Sequence, residues 1–95
     1  MTDRLDDPQI RAALEELDGW HRDGDVLERE FRFDDFRAAI AFIDRIADAA
    51  EAADHHPELC NVYSSVTVRL TSHDVGGITT RDVDLAREVD RLAAA

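Results

Sequence analysis

Residues 54–71 read Asp-His-His-Pro-Glu-Leu-Cys-Asn-Val-Tyr-Ser-Ser-Val-Thr-Val-Arg-Leu-Thr, and the prediction of the fold starts from this segment. Pro57 ends a helix, because the residue before a proline is pushed out of helical geometry. From Leu59 to Thr71 the side chains then alternate, which predicts half-buried antiparallel strand. One parity holds Val62, Val66, Val68 and Leu70, and the other holds Tyr63, Thr67 and Arg69. The alternation leaves open whether this is one long strand or a hairpin that turns at Ser64-Ser65.

Upstream of Pro57 the spacing predicts a helix that begins near Asp34 or Asp35 and runs to about Asp54. Its wide apolar face consists of Phe36, Ala39, Ile40, Ile43, Ile46, Ala47 and Ala50. Before this helix, Asp23-Gly24 is a hairpin turn signal. It is followed by a strand with Leu27, Phe31 and Phe33 on one face and Glu28, Glu30 and Arg32 on the other.

Helices are also predicted at both ends of the chain. In the first helix Asp7 is the expected cap, Pro8 fits the first helical position, and Gly19 lies beyond the end. The last helix begins at Thr79, with Asp82 completing a capping box. The order of helix, hairpin, helix, strand or hairpin, and helix predicts one α+β domain over residues 1–95, an antiparallel sheet with helices covering one face.

The composition excludes several classes of protein. The 95 residues carry 11 basic and 22 acidic side chains, a net charge of −11, and every base is an arginine. Nucleic acid is not an expected partner, because its phosphates require clustered positive charge. Such an acidic, lysine-free surface suits concentrated salt, where charge repulsion is screened. Cys60 is the only cysteine, and no signal peptide or membrane span is predicted, so we expect a soluble, cytoplasmic protein with no membrane partner.

Three histidines gather around one region of the chain. His55 and His56 lie at the end of the second helix, and His73 follows the next strand. Imidazoles suit general acid–base catalysis because they titrate near neutrality. Alternatively, His55 and His56 only complement the helix dipole and His73 is an incidental loop residue. Asp82 is either a capping residue alone or an inward carboxylate that needs a polar partner.

A metal site is not expected. Neighbouring side chains diverge, so His55 and His56 rarely bind one ion together. The sequence contains no HExxH or CxxC spacing, and Cys60 has no companion cysteine. Cys60 lies in an alternating strand, where a cysteine is commonly a small apolar residue rather than a nucleophile.

The spacing of these residues resembles a known signature. Glu51 is followed after three residues by His55-His56-Pro57, after five more by Tyr63, after nine by His73, and after eight by Asp82. This pattern is similar to that of the pterin-4a-carbinolamine dehydratases. Four flanking segments are also similar, namely Leu17-Asp18-Gly19-Trp20, Phe31-Arg32-Phe33, Asn61-Val62-Tyr63 and Gly77-Ile78-Thr79.

The resemblance implies a two-layer α+β fold with a four-stranded antiparallel sheet and three helices on one face, which favours the hairpin over one long strand. It also implies dehydration of a 4a-hydroxytetrahydropterin to a quinonoid dihydropterin and water, in pterin cofactor recycling, with no metal and no cofactor. By motif match the catalytic residues are His55, His56 and His73, supported by Asp82. The implied substrate-binding residues are Glu51, Pro57, Ser72, Asp74, Val75 and Trp20.

Other functions remain open at this point. The resemblance also fits a non-enzymatic dimerisation or binding module, or a pterin-site protein in molybdopterin or folate metabolism. It implies a homodimer or homotetramer with a small-molecule pterin as substrate. Neither the physiological pterin nor the division of acid and base roles among the histidines follows from the sequence.

Overall fold

The computed structural model describes residues 3–95 and forms a single four-stranded sheet with three helices on one face. The strand order is β1-β2-β4-β3, and every neighbouring pair is antiparallel. The elements are α1 (Asp7–Glu15), β1 (His21–Asp23), β2 (Val26–Arg32), α2 (Phe36–Ala53), β3 (Glu58–Val62), β4 (Ser65–Leu70) and α3 (Thr80–Ala93). The predicted two-layer α+β fold is confirmed.

The core lies between the helices and one face of the two central strands. Paired residues from β2 and β4 line that face, with Leu27 opposite Leu70 and Phe31 opposite Val66. The helices contribute Ile10, Phe42, Ile46 and Val89, all buried. The opposite face of the sheet carries polar side chains such as Glu30 and Arg32 and is open to solvent.

The alternating stretch is a hairpin, and its turn lies at Tyr63-Ser64, one residue earlier than the predicted position. Because the turn has two residues, Val62 pairs with Ser65 and Asn61 with Val66. Parity therefore reverses across the turn. Val62 shares its sequence parity with Val66, but it lies on the outer face with 68% of its surface exposed, whereas Val66 is fully buried.

The helix starts follow local hydrogen bonding. The start of α3 is confirmed, with Thr79 as N-cap and Asp82 completing the capping box. For α1 the predicted cap, Asp7, is wrong. Asp6 is the cap, because its carboxylate accepts from the backbone N–H of Gln9 while the Gln9 side chain accepts from the Asp6 backbone N–H.

The long helix α2 has a narrower core face than predicted. Asp35 caps its start, and Asp54 ends it in the left-handed conformation, with φ 51° and ψ 43°. The buried residues are Ala39, Phe42, Ile46 and Ala50. Phe36 and Ala47 were expected on this face but are exposed, because Phe36 is the first residue of the helix and Ala47 directly follows buried Ile46, about 100° around the helix from it.

No helix within residues 3–95 is long and apolar enough to cross a membrane.

Candidate active site

A buried carboxylate organises the region where α3 begins. Asp82 has no exposed surface. Its Oδ2 accepts hydrogen bonds from the Ser72 hydroxyl and the Thr79 backbone N–H, both at 2.9 Å. Its Oδ1 lies 2.6 Å from Nε2 of His55. Both alternatives left open by the sequence therefore apply to Asp82, which caps the helix and also provides a polar partner for a histidine.

His55 is held from two sides at the end of α2. Its backbone N–H donates to the carbonyl of Ala50, and the residue is only 9% exposed. An ionised carboxylate can only accept hydrogen bonds. The His55 Nε2 therefore donates to Asp82, which leaves Nδ1 as the ring nitrogen available to another group.

His73 lies in a tight loop that leaves β4. Ser72 and Gly77 form an isolated antiparallel bridge, and the backbone N–H of Gly76 donates to the carbonyl of His73. An ion pair braces the loop from outside, since Nη2 of Arg81 lies 2.7 Å from Oδ1 of Asp74. The hydrogen bond from Arg81 holds the pKa of the Asp74 carboxyl below its ordinary value. The loop is therefore tied to the first turn of α3.

His56 and His73 meet at a cleft on the outer face of the sheet. Their side chains line it together with Val26, Glu58, Arg69 and Thr71. The cleft has a volume of about 90 Å³. Ligand pockets commonly have volumes of about 300–1,000 Å³. The cleft is thus large enough to hold one edge of a flat bicyclic ring, and the rest of such a ring would project outward.

His55 does not line this cleft. It borders a separate cavity of about 280 Å³ between α2 and α3, with Ala49, Ala53, Arg81, Asp84, Leu85 and Glu88. Consecutive side chains diverge, so the adjacent histidines face different spaces. The structure thus brings His56 and His73 together and places His55 behind them, against Asp82.

The other residues proposed from the motif take varied positions. Glu51 Oε1 lies 3.4 Å from His56 Nε2, and Pro57 joins that histidine to β3. Ser72 is buried against Asp82, while the neighbouring Asp74 is exposed. Val75 is partly buried in the same loop.

Trp20 is the proposed residue that lies apart from the histidines. It is 6% exposed and belongs to the core, where its ring packs edge-on against Phe31 with 6.1 Å between centroids. Its indole N–H donates to Oδ1 of Asp90 at 2.8 Å. No indole contact with the cleft is present within residues 3–95.

Arg69 is a cleft residue that the sequence reasoning did not identify. It contacts carboxylates on three strands, namely Asp23 on β1, Glu28 on β2 and Glu58 on β3. Hydrogen bonds to Glu28 and Asp23 raise its pKa further above the ordinary value for arginine. The available signal was parity, since Arg69, Thr71 and His73 are spaced two residues apart and share one side.

A larger cavity of about 430 Å³ lies elsewhere, between the N-terminal segment and the loop at Gly77. Its lining includes Arg4, Arg22 and Asp25 but no histidine. General acid–base chemistry needs groups that exchange protons near neutral pH. The smaller cleft contains two imidazoles, the side chains used most often for this chemistry, and is therefore the better candidate.

Fold and site together define a class: a two-layer α+β protein with paired histidines at the rim of an open sheet and a buried His–Asp pair behind them. The model of the family described as pterin 4 alpha carbinolamine dehydratase matches residues 3–92. The chain belongs to this family.

Curated relatives agree with the family match over nearly their full lengths. A protein of Thermosynechococcus vestitus, named for pterin-4-alpha-carbinolamine dehydratase, is 50% identical over 93 residues, which cover 98% of each chain. A protein of Koribacter versatilis with the same name is 47% identical over 92 residues, covering 97% of this chain and 98% of the relative.

Two solved structures are also similar. A transcriptional coactivator/pterin dehydratase from Brucella melitensis superposes with a TM-score of 0.93 at 38% identity, covering 96% of this chain and 99% of that one. A pterin dehydratase-like protein, identified as a RuBisCO assembly factor in the alpha-carboxysome, gives a TM-score of 0.69 at 25% identity, covering 81% and 92%. Family membership and the names of the relatives support a dehydratase that acts on a pterin carbinolamine.

Proposed function

We propose that this protein dehydrates a 4a-hydroxytetrahydropterin to a quinonoid dihydropterin by histidine acid–base catalysis, in the recycling of a pterin cofactor. The observation that carries the proposal is the pairing of His56 with His73 across one cleft, beside a His55 ring held by buried Asp82. The three motif histidines lie in two loops, His55 and His56 between α2 and β3, and His73 between β4 and α3.

The reaction requires two proton transfers, one at the hydroxyl oxygen and one at N5, and both atoms are bonded to C4a. The bond between C4a and its hydroxyl oxygen breaks, and that oxygen takes up a proton and leaves as water. The neighbouring N5 loses its proton, and the electron pair of the N–H bond forms the C4a=N5 double bond. Protons are therefore given and taken in equal number, and no oxidant or reductant is consumed.

Two imidazoles in opposite protonation states can perform both transfers near neutral pH. His56 and His73 face the same cleft and are assigned these two transfers. Turnover exchanges their protonation states, and the proton returns between them before the next cycle. The rate should therefore rise and then fall with pH, since each ring must start in the correct form.

His55 is assigned a supporting proton-transfer role. Its Nε2 is committed to Asp82, so the carboxylate fixes both the tautomer and the ring orientation. Its Nδ1 is then an acceptor on the side away from Asp82. Glu51 is assigned the role of positioning the His56 ring, because its carboxylate Oε1 lies 3.4 Å from the Nε2 of that ring.

The test is an assay of the purified protein with a chemically generated 4a-carbinolamine. Single His56→Gln and His73→Gln substitutions should each lower kcat by about 10²–10⁴-fold, the usual contribution of general acid–base catalysis. The melting temperature should change little, because both side chains are exposed. Comparing the pH–rate profiles of the two variants assigns the acid and the base, because each variant loses either the rising or the falling side of the bell-shaped profile.

His21→Gln is the matched control. His21 is the remaining histidine in the sequence and bonds Glu28 through Nε2 at 3.0 Å, a contact that a glutamine amide can retain. It does not line the cleft. Full activity in His56→Gln and His73→Gln, equal to that of His21→Gln, would contradict the proposed function.

A further inference from the structure

We infer that Arg69 is a substrate-binding residue that selects pterins by their C4 carbonyl oxygen. The inference rests on the proposed function and deepens it. Arg69 lines the same cleft as His56 and His73. No motif of the sequence pointed to Arg69, and its position results from the pairing of β4 with both of its neighbours.

The guanidinium is held in place from three directions. Its Nε lies 2.9 Å from a carboxylate oxygen of Glu58, and its Nη1 bonds both Asp23, at 3.1 Å, and Glu28. Nη2 forms no hydrogen bond with any residue in the 3–95 range. Two of the three guanidinium nitrogens are thus fixed by protein, and the third remains available to a ligand.

The surrounding charge determines which ligand fits. Three carboxylates surround one guanidinium, so the local net charge is negative although Arg69 itself is a cation. An anionic group, such as a phosphate or a carboxylate, would be repelled by these carboxylates. A neutral carbonyl oxygen can still accept a strong hydrogen bond from the charged donor. The site therefore favours a neutral lactam edge.

A pterin has such an edge next to the reacting atoms. Its C4 carbonyl carbon is bonded directly to C4a, the atom that loses the hydroxyl group. A ligand whose C4a and N5 lie between His56 and His73 therefore presents the C4 oxygen two bonds from C4a. Arg69 shares this small cleft, so one bound ring can contact all three side chains.

The small volume of the cleft strengthens the inference. Enclosure of the whole ring would provide selectivity through shape, but about 90 Å³ holds only one edge. Selectivity must then come from hydrogen bonds made to that edge. A site that hydrogen-bonds a substrate group discriminates against an analogue without it, because the donor of the site then has no acceptor on the ligand.

The test is equilibrium binding of two unreactive ring ligands to the full chain. One is a 7,8-dihydropterin, which carries the 4-oxo group, and the other is the 2,4-diamino analogue, which places an N–H donor at that position. The measured quantity is the ratio of their two dissociation constants. In the wild type the 4-oxo ligand should bind at least tenfold more tightly. Arg69→Gln should lower this ratio about tenfold.

Two further variants complete the design. Arg69→Lys keeps a positive charge among the three carboxylates and is used if the glutamine variant does not fold. It removes only the planar guanidinium with its fixed donors, so the ratio of the two dissociation constants should fall here too. Arg32→Gln is the control, because Arg32 lies on the same outer face, 76% exposed and paired with Glu30, outside the cleft. Its ratio should equal that of the wild type.

The outcomes separate this inference from the proposed function. A folded Arg69 variant with the wild-type ratio overturns the inference while the dehydratase activity stands. A wild-type protein that binds both rings equally overturns it as well. If the wild type shows the expected ratio but no dehydration of the 4a-carbinolamine, the binding role stands and the proposed function fails.

Discussion

Oδ1 of Asp82 lies 2.6 Å from Nε2 of His55, and the same carboxylate closes the capping box that starts α3. Its other oxygen accepts from Ser72 and Thr79. One fully buried side chain therefore connects the start of a helix, the loop that carries His73, and the ring of His55. Helix initiation and the orientation of an imidazole depend on the same group.

Asp82→Asn should separate these two roles. The amide oxygen can still accept from Thr79 and Ser72, but the amide N–H₂ then faces His55. The His55 Nε2 must become an acceptor, which moves the ring proton to Nδ1. We expect kcat to fall at least tenfold, while the free energy of unfolding falls by about 1.5–3 kcal/mol, the usual effect of losing a hydrogen bond to a charged group. Steady-state kinetics and urea unfolding of the same preparation measure both.

Asp35→Ala is the matched stability control for that variant. Asp35 caps α2 by accepting from the backbone N–H of Ala38, far from the cleft. Its loss should cost about 1 kcal/mol of stability with kcat unchanged. If Asp82→Asn retains full kcat, the carboxylate is a helix cap and does not orient His55 for catalysis.

The ion pair between Asp74 and Arg81 predicts a pH-dependent contribution to stability. Its hydrogen bond from Arg81 lowers the pKa of Asp74 below the ordinary value of 3.8. A carboxyl with a lowered pKa stabilises the folded state above its unfolded pKa, and this stabilisation is lost as the pH falls through the folded pKa. Asp74→Asn should therefore lower stability by a constant, small amount from pH 7 to pH 5, and the difference should narrow below about pH 4.

Urea unfolding at each pH measures this difference. Asp25→Asn is the comparison, because the Asp25 carboxylate pairs with no basic side chain within residues 3–95, so this substitution removes a charge without breaking an ion pair. If the difference in free energy of unfolding between the wild type and Asp74→Asn is still the same at pH 3, the ion pair is not the source of that difference.

The net charge of −11 predicts that salt stabilises the protein. Exposed carboxylates on α2 occur at Asp44, Asp48 and Glu51, three or four residues apart, and no arginine in the described residues pairs with them. Raising potassium chloride from about 0.1 M to 1 M shortens the Debye length from about 10 Å to about 3 Å. The melting temperature should rise over this range, and a flat or falling curve would show that local ion pairs already compensate the repulsion.

Asp48→Asn tests the same repulsion locally. It removes the repulsion between Asp48 and two neighbouring carboxylates, Asp44 at i−4 and Glu51 at i+3, and each of these repulsions costs a few tenths of a kcal/mol. In low salt the melting temperature should rise by about 2–6 °C. The gain should disappear in 1 M potassium chloride, where these charges are screened. An equal gain at both salt concentrations would point to helix propensity instead.

The family resemblance predicts a homodimer or homotetramer, and the structure leaves surfaces that such assembly could use. The strands β1 and β3 lie at the two edges of the sheet. Phe36 is 49% exposed and Val62 is 68% exposed. Light scattering from low to multimolar salt measures the mass. A monomeric mass throughout would contradict this prediction.

The fold was predictable wherever short-range chemistry decides it. Thr79 and Asp82 are three residues apart, so the start of α3 follows from one local hydrogen-bond pattern. The turn at Tyr63-Ser64 was misplaced by one residue, because register depends on cross-strand pairs that no local pattern displays. Asp6 and Gln9 have the same three-residue spacing, whereas Asp7 was predicted from the Pro8 that follows it, so the capping-box signal for Asp6 was present in the sequence and was missed.

The site was predictable only as far as its motif extends. The spacing pointed to His55, His56 and His73, but it could not show that the adjacent pair opens onto separate spaces. Arg69 remained unidentified because its environment is assembled from β1, β2 and β3. Trp20 is the reverse case. It was proposed as a substrate-binding residue from the family pattern, but its ring lies in the core and its indole N–H donates to Asp90.

The two-residue spacing of Arg69, Thr71 and His73 limits which changes of sequence this protein can accept. Inserting or deleting one residue between Arg69 and His73 would turn one of them toward the core, because neighbouring positions face opposite sides of the sheet. The selectivity of the cleft can therefore change by substitution within residues 69–73, but not by a change in the length of this segment.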